Sequence, residues 1–376
     1  MSGSVRHLYV HMPFCAHRCG YCDFVTVVGR QGEHGSYVDA LLAELELERP
    51  LLAPEVDTVF VGGGTPTFTD PDELRRLLLA LPAAAEVTVE ANPETVTPEL
   101  ASLLHDAGVN RVSLGAQTFD PELLSVLERR AGPDDVRRAF YHLRDASFDN
   151  ISLDLIYGIP GQSPAALDAD IDEALALGPE HLSCYELEAK PGTRFTYGHG
   201  EELRRQADAL EDYFERVVGR LTQAGYRWYE TANFCRPSEG AGGRDLRAQH
   251  NLAYWLGRDY VGVGIGAVST VLGKRWRNTP RLSAYTASLA RGRRPPRELE
   301  ELSTDVLQRE RVMLGLRLDE PLPVAGVAPV LDTDALERLQ RLELVARGRG
   351  GSEGESLTLT PRGRLLGGGV TAELLA

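Results

Sequence analysis

Three of the chain's five cysteines fall within eight residues, in His11-Met12-Pro13-Phe14-Cys15-Ala16-His17-Arg18-Cys19-Gly20-Tyr21-Cys22-Asp23-Phe24. The spacing, C-x3-C-x2-C, lets three thiolates wrap one small inorganic centre without long backbone excursions. A cube of four irons takes one external ligand per iron, so three cysteines leave one iron free for a small molecule. A structural zinc site calls for a fourth Cys or His, and His17 is the candidate inside the loop. A disulfide framework suits neither an odd cluster of three nor a chain that carries no export signal.

Beyond the loop, short β-rich runs alternate with amphipathic ones. The patterning predicts strands over residues 8–11, 57–61, 86–90, 111–114, 151–156 and 181–187. Between them it predicts helices over 37–49, 71–81, 98–107, 121–129, 133–146 and 164–177, several of them opened by Pro at the first turn. The fold class is therefore α/β, with six β/α repeats forming an open parallel sheet or an incomplete barrel. Active sites in such folds gather at the carboxyl ends of the strands. The unusual residues of this chain sit there: the cysteines after strand one, Gly62-Gly63-Gly64-Thr65-Pro66-Thr67 after strand two, Glu90-Ala91-Asn92-Pro93 at the end of strand three, and Gly115-Ala116-Gln117 after strand four. Asp154 lies in strand five, ahead of Tyr157-Gly158-Ile159-Pro160-Gly161. A lone glycine run is simply a tight turn, but five such clusters in phase with one sheet edge define a ligand-binding rim.

Residues 201–224 read as one charged amphipathic helix, 227–231 as a strand extending the sheet, and 233–243 as a loop. Cys184 and Cys235 are isolated and read as core thiols. Tyr260 to Ser269 reads as a strand and glycine turn; its G-x-G-x-G lacks the strand–turn–helix context of a dinucleotide fingerprint. The basic, proline-containing stretch 291–297 reads as a solvated linker. Beyond it, helices at 303–316 and 333–344 and a strand at 356–360, with a Gly-rich tip at 348–354, suggest a small winged-helix-like domain. The expected organisation is a core over 1–200, a sheet extension over 201–290 and the C-terminal domain over 291–376.

Forty basic against 55 acidic residues give a net charge of −15, which argues against nucleic-acid binding through a basic surface. The C-terminal region from Glu301 onward, with 12 acidic and 9 basic residues, lacks that footprint too. No run approaches the ~20 apolar residues of a membrane span and no signal peptide is evident, so a cytoplasmic location is expected.

The cysteine spacing near the start of an α/β chain resembles the signature of the radical S-adenosylmethionine (SAM) superfamily. The flavour Tyr9-Val-His11-Met-Pro-Phe-Cys15 with Cys22-Asp-Phe24 is similar to the branch holding oxygen-independent coproporphyrinogen III oxidase and the HemW-type heme chaperones. The resemblance implies an incomplete (β/α)6 radical SAM barrel in which Cys15, Cys19 and Cys22 hold a [4Fe-4S] cluster whose open iron is chelated by SAM. It implies SAM contacts for Tyr9, Gly63, Gly64, Thr65, Glu90, Gln117, Arg129 and Asp154, with Gln117, Arg129 and Asp154 among those assigned to a second SAM in the oxidase. Read without the resemblance, Arg129 and Asp154 form an internal salt bridge. His250-Asn251-Leu252-Ala253-Tyr254-Trp255 resembles the H-N-x-x-Y-W segment of the chaperones and makes His250 the candidate heme ligand, since imidazole ligates iron and aromatic faces cover a macrocycle. The family's G-x-G-x-G-A-H-S run carries Val268 in place of its histidine.

Oxidases of this branch have a further cysteine two residues after the third, where this chain has Phe24. The resemblance therefore points to a heme chaperone that passes heme to an acceptor protein, with an electron donor for the cluster. The alternative is a radical SAM enzyme acting on a tetrapyrrole, and a more distant one a winged-helix regulator. Monomer and homodimer both stay open.

Overall fold

The computed structural model describes residues 3–188, 190, 194–238, 243–349 and 354–375. Six strands run parallel in chain order: β1 (His7–Met12), β2 (Val56–Gly63), β3 (Ala84–Ala91), β4 (Arg111–Gln117), β5 (Ile151–Tyr157) and β6 (His181–Glu186). The helices between them are α1 (His34–Glu48), α2 (Pro71–Ala80), α3 (Pro98–Asp106), α4 (Pro121–Val126), α5 (Pro133–Asp145) and α6 (Pro164–Leu177). Five of these open on Pro, and Asp70, Thr97, Asp120 and Ser163 cap theirs by accepting hydrogen bonds from first-turn backbone N–H groups.

Alternation along the strands sorts two faces. Leu8, Val10, Val59, Val61, Val89, Val112, Leu114, Leu153, Leu155 and Leu182 belong to the main apolar core beneath the helices. The alternate positions are largely polar, and many of them are buried: His11, Thr58, Glu86, Thr88, Arg111, Ser113, Ser152, His181 and Ser183. Fully buried parallel strands usually read as unbroken apolar runs. Here the second face bounds a polar interior instead.

Two helices, α7 (Arg194–Gln206) and α8 (Leu210–Gln223), replace the single helix expected over 201–224, with a tight 3-10 turn at Ala207–Ala209 separating them. The next expected strand stops early as β7 (Arg227–Trp228). Asn233–Cys235, a loop by composition, is instead strand β8, antiparallel to both β6 and β7. Burial of Phe234 and Cys235 overrides the weak local signal. Residues 239–242 of the expected loop lie outside the described residues. After α9 (Gln249–Trp255), the glycine run supplies β9 (Val261–Val263), which pairs in parallel with β1. Among the described residues the main sheet thus has nine strands in the order β9-β1-β2-β3-β4-β5-β6-β8-β7 and stays open between its edges.

A three-stranded antiparallel sheet follows: β10 (Val268–Val271), β11 (Lys274–Asn278) and, beyond α10 (Leu282–Leu289), β12 (Arg297–Glu301). The C-terminal portion has its own core, in which Val312, Leu316, Leu336, Leu339, Leu357 and Leu359 take part. It packs α11 (Thr304–Gly315), α12 (Thr333–Arg341), α13 (Pro361–Leu365) and α14 (Gly367–Leu374) with β13 (Leu322–Pro323), β14 (Val345–Arg349) and β15 (Glu355–Leu359). Residues 350–353 of the expected Gly-rich tip lie outside the described residues. Among the described residues, no helix is long and apolar enough to cross a membrane.

The basic stretch 291–297 is largely exposed, as expected of a solvated linker, except at Pro295 and Arg297. Arg297 reaches Glu44 at 3.1 Å and Glu48 at 2.8 Å, and its Nε donates to Asn278. Both carboxylates are essentially inaccessible to solvent. Glu44 also accepts from the Gly264 N–H and the Tyr285 hydroxyl, so one buried carboxylate joins α1, the β9 turn, α10 and β12. Removing one partner of a buried ion pair leaves an uncompensated charge and costs about 3–5 kcal/mol. We expect R297L to lower unfolding stability by about 3 kcal/mol in denaturant titrations. R294L should cost less, because half-exposed Arg294 reaches only Glu48 of the two.

Candidate cluster and cofactor site

The cysteine loop leaves the carboxyl end of β1 and is tied to the glycine turn that follows β2. Gly64 N–H donates to Met12 O at 2.7 Å, Thr65 N–H to Phe14 O at 2.9 Å, and Val27 N–H to Pro13 O at 2.8 Å. The loop tightens where Cys22 N–H donates to Cys19 O. Cys15, Cys19 and Cys22 are free thiols. Thr65 Oγ1 donates to Cys15 Sγ at 3.5 Å, and Arg129 Nη1 to Cys19 Sγ at 3.8 Å. Burial pushes the Cys15 thiol up to about 11 and raises Cys22 as well. Thiolates in such a place need a cationic centre, which is what an iron cluster supplies. Among the described residues, no three Cys, His, Asp or Glu side chains converge on a point for a single metal ion. A four-iron cube, which takes each thiolate on a different iron, has no need of such convergence. His17 Nε2 donates to the Glu128 carbonyl at 2.7 Å, which ties the cysteine loop to the end of α4.

The glycines are small for a steric reason. Gly63 has φ +112°, and a Cβ there would lie 2.4 Å from the His11 ring; a Cβ on Gly64 would lie 2.6 Å from the Pro13 backbone. Gly63 N–H donates to Glu90 Oε2 at 2.8 Å. Burial holds the Glu90 carboxyl up at about 7. Tyr9 donates to His11 Nδ1, whose ring donates from Nε2 to Val25 O; burial lowers His11 to about 4 and keeps it neutral.

Helix α4 ends at Val126 rather than at 129, because Glu128 takes φ +56°. That turn brings Arg129 to the Gly115 carbonyl at 3.0 Å and to Asn92 Oδ1 at 3.1 Å, and Asn92 in turn donates to Thr65 Oγ1. The Arg129–Asp154 salt bridge does not form: Asp154 accepts from Ser113 and Ser152 inside the sheet. Gln117 is a non-glycine residue at φ +66°, on the irregularity where β4 loses register with β5. Thr65, Glu90 and Arg129 thus gather around the cysteine loop with Gly63 and Gly64, whereas Tyr9 and Asp154 lie deeper. Sequence reading passed over His11 and Asn92. Period-two alternation from Tyr9 and from Glu90 puts both on the interior face.

The candidate heme ligand His250 has both ring nitrogens engaged. It is 1% exposed, on α9, among the first residues of the strands, at the opposite end of the sheet from the cysteines. Nδ1 meets Thr58 Oγ1 at 2.7 Å and Nε2 meets Tyr254 Oη at 2.8 Å, so neither nitrogen has a lone pair to spare. The ring stacks on Phe60, and Glu86 accepts from the Gln249 and His250 N–H groups. Trp255 faces elsewhere, under the Arg317 guanidinium at 4.3 Å. Val268, in place of the family histidine, pairs with Arg277 in the small antiparallel sheet.

An open parallel α/β sheet with a three-cysteine loop and a glycine cradle at its carboxyl end defines a radical SAM protein. Residues 9–174 match the Radical SAM superfamily, and residues 302–366 match the HemN C-terminal domain. The chain is 38% identical over 387 residues to Heme chaperone HemW of Mycobacterium tuberculosis, covering 100% of this chain and 96% of that protein. It is 33% identical over 386 residues to the Bacillus subtilis protein of the same name, covering 99% of each. The chain therefore belongs to the HemW family. Among solved structures, coproporphyrinogen III oxidase (HemN) from Escherichia coli superposes with a TM-score of 0.79 at 24% identity, covering 100% of this chain and 91% of that one, a likeness of fold.

Glu90 gives the site a pH signature. A carboxyl raised from its unfolded value of about 4.5 to about 7 keeps its proton in the folded state, so folding binds a proton and stability falls as pH rises between those values. E90Q removes the penalty. Without bound cofactors, the variant should match wild type near pH 5 and exceed it by about 1–2 kcal/mol at pH 8 in urea titrations.

Proposed function

We propose that this protein is a heme chaperone: it holds a [4Fe-4S] cluster on Cys15, Cys19 and Cys22, binds SAM beside it, takes up heme and hands it to an acceptor protein in the cytoplasm. The observation that carries the reading is the full-length likeness to HemW together with a cysteine loop that ends at Cys22. Phe24, two residues on, is 65% exposed and offers no thiol.

Within this reading the chain's own groups divide the work. Gly63 and Gly64 admit the amino-acid end of SAM against backbone, and Glu90 receives ribose hydroxyls. Thr65 and Arg129 direct hydrogen-bond donors at Cys15 and Cys19 and so favour thiolate over thiol. The bound cluster and SAM supply one-electron chemistry, while the protein supplies position and exclusion of water. The family resemblance assigns Gln117, Arg129 and Asp154 to SAM contact, and an electron donor reduces the cluster.

Anaerobic reconstitution followed by titration with hemin and with SAM tests this directly. The expected result is one cluster per chain, saturable SAM binding, a Soret band that develops with hemin, and transfer of that heme to an added apo-hemoprotein. Cluster-loaded protein that decarboxylates coproporphyrinogen III and takes up no hemin would overturn the reading. C19A should lose the cluster absorbance and SAM binding together while keeping its fold by circular dichroism.

A further inference from the structure

Arg111, the first residue of β4, is a cation inside the sheet without a direct partner. It is 2% exposed, its Nε has no hydrogen-bond partner, and among the described residues its guanidinium makes no ion pair. A guanidinium carries a permanent charge, and burying one without compensation is costly.

The strand register shows what lies around it. Arg111 pairs across with Thr88 on β3, so Glu86 and Glu90 flank it on the same face, two residues to either side. Two residues further along β4, about 7 Å away, Ser113 pairs across with Glu90 and donates to Asp154 Oδ2 at 2.9 Å. Three interior carboxylates therefore surround one guanidinium that forms an ion pair with none of them. Its charge acts on them at longer range.

Resting on the reading of Glu90 as acceptor of the SAM ribose hydroxyls, we propose that Arg111 is a positioning residue for SAM: the interior counter-ion that holds Glu90 as a carboxylate. An ionised carboxyl only accepts, and it can take both hydroxyls; a protonated one spends an oxygen on its own O–H. Burial raises Glu86, Glu90 and Asp154, and at all three the charge of Arg111 opposes the rise. At Glu90 the Gly63 N–H opposes it too, and the Asp154 carboxylate adds to it. The outcome, about 7, divides Glu90 between its two forms near neutral pH, so a modest change in the local field decides which form SAM meets. The other groups in the field of Glu90 are Tyr9 on β1, Tyr185 on β6 and Tyr254 on α9, phenols that burial keeps protonated, and the neutral His11 ring on β1. On the far side of Arg111 stand His181, neutral by burial, and Tyr229. None of these supplies a positive charge.

The sign follows. If SAM needs the carboxylate, its affinity rises as pH passes through about 7 and levels off above, and loss of the Arg111 charge moves that rise to higher pH.

The test is SAM binding by equilibrium dialysis to cluster-loaded wild type, R111M, R111K, E90Q and the R111M/E90Q double variant across pH 6 to 9. The amino group of SAM titrates alike for every variant, so differences between them report the protein. In R111M the rise should move up by about half to one pH unit. Binding is then about two- to fivefold weaker at pH 7 and no weaker at pH 9. R111K, which restores the charge, should return most of that displacement, and in the E90Q background R111M should displace nothing. Infrared titration of the cluster-free proteins follows the carboxylic-acid band of Glu90, identified by its loss in E90Q, and should show the same upward move in R111M. That measurement decides the matter should R111M fail to hold its cluster. A Glu90 midpoint in R111M that coincides with wild type, or a displacement that persists in the E90Q background, overturns the role of Arg111. Cluster-loaded wild type that binds no SAM overturns the cofactor reading on which the proposal rests.

Discussion

The backbone hydrogen bond from Gly64 to Met12 joins the two segments on which everything else depends. It requires β1 and β2 to reach their carboxyl ends side by side, and the six-residue register between them guarantees that. β1 is also clasped on its other edge by β9, while the Tyr37 hydroxyl on α1 donates to His11 O. The cysteine loop therefore springs from a strand held on both sides. The buried Glu44 network secures the outer clasp: its carboxylate holds Gly264 N–H just past β9, and Arg297 compensates its charge. A residue near position 300 thus helps fix the strand that carries the cysteines.

What was legible in the sequence, and what was not, follows from the range of the interactions. The six parallel strands were legible because apolar positions alternate at period two and proline marks the helix starts, both local signals. The rim of functional residues was legible because chemistry-bearing types recur at strand ends. Asn233–Cys235 was not, since three residues in a polar, glycine-rich neighbourhood become a strand only by burying Phe234 against β6. Nor was the break at Ala207–Ala209, where no glycine or proline announces the end of a helix. Arg129 was recognised but placed in the wrong company: its direction is set by Glu128 in the left-handed region, a backbone state with no reliable signature outside glycine. His250 is the clearest case, for a motif can mark a residue without saying which of its atoms are already committed.

β1 spans the interior, with His250 of the H-N-x-x-Y-W segment beside His7 at one end and the cysteine loop at the other. Six residues at about 3.3 Å each separate its ends by roughly 20 Å, with His7 at the amino end and the cysteine loop beyond the carboxyl end. The interior between them is not empty of contact. His250 stacks on Phe60 with ring centroids 5.3 Å apart, Phe60 on Tyr9 at 6.2 Å, and the Tyr9 hydroxyl donates to His11. His11 in turn fills the space that keeps Gly63 a glycine, and the Gly63 N–H donates to Glu90. One contiguous set of packed rings and hydrogen bonds therefore runs from His250 to the glycine turn after β2. That set lies on the interior face of β1 and β2, where polar and aromatic residues stand in positions that an ordinary buried parallel strand gives to valine.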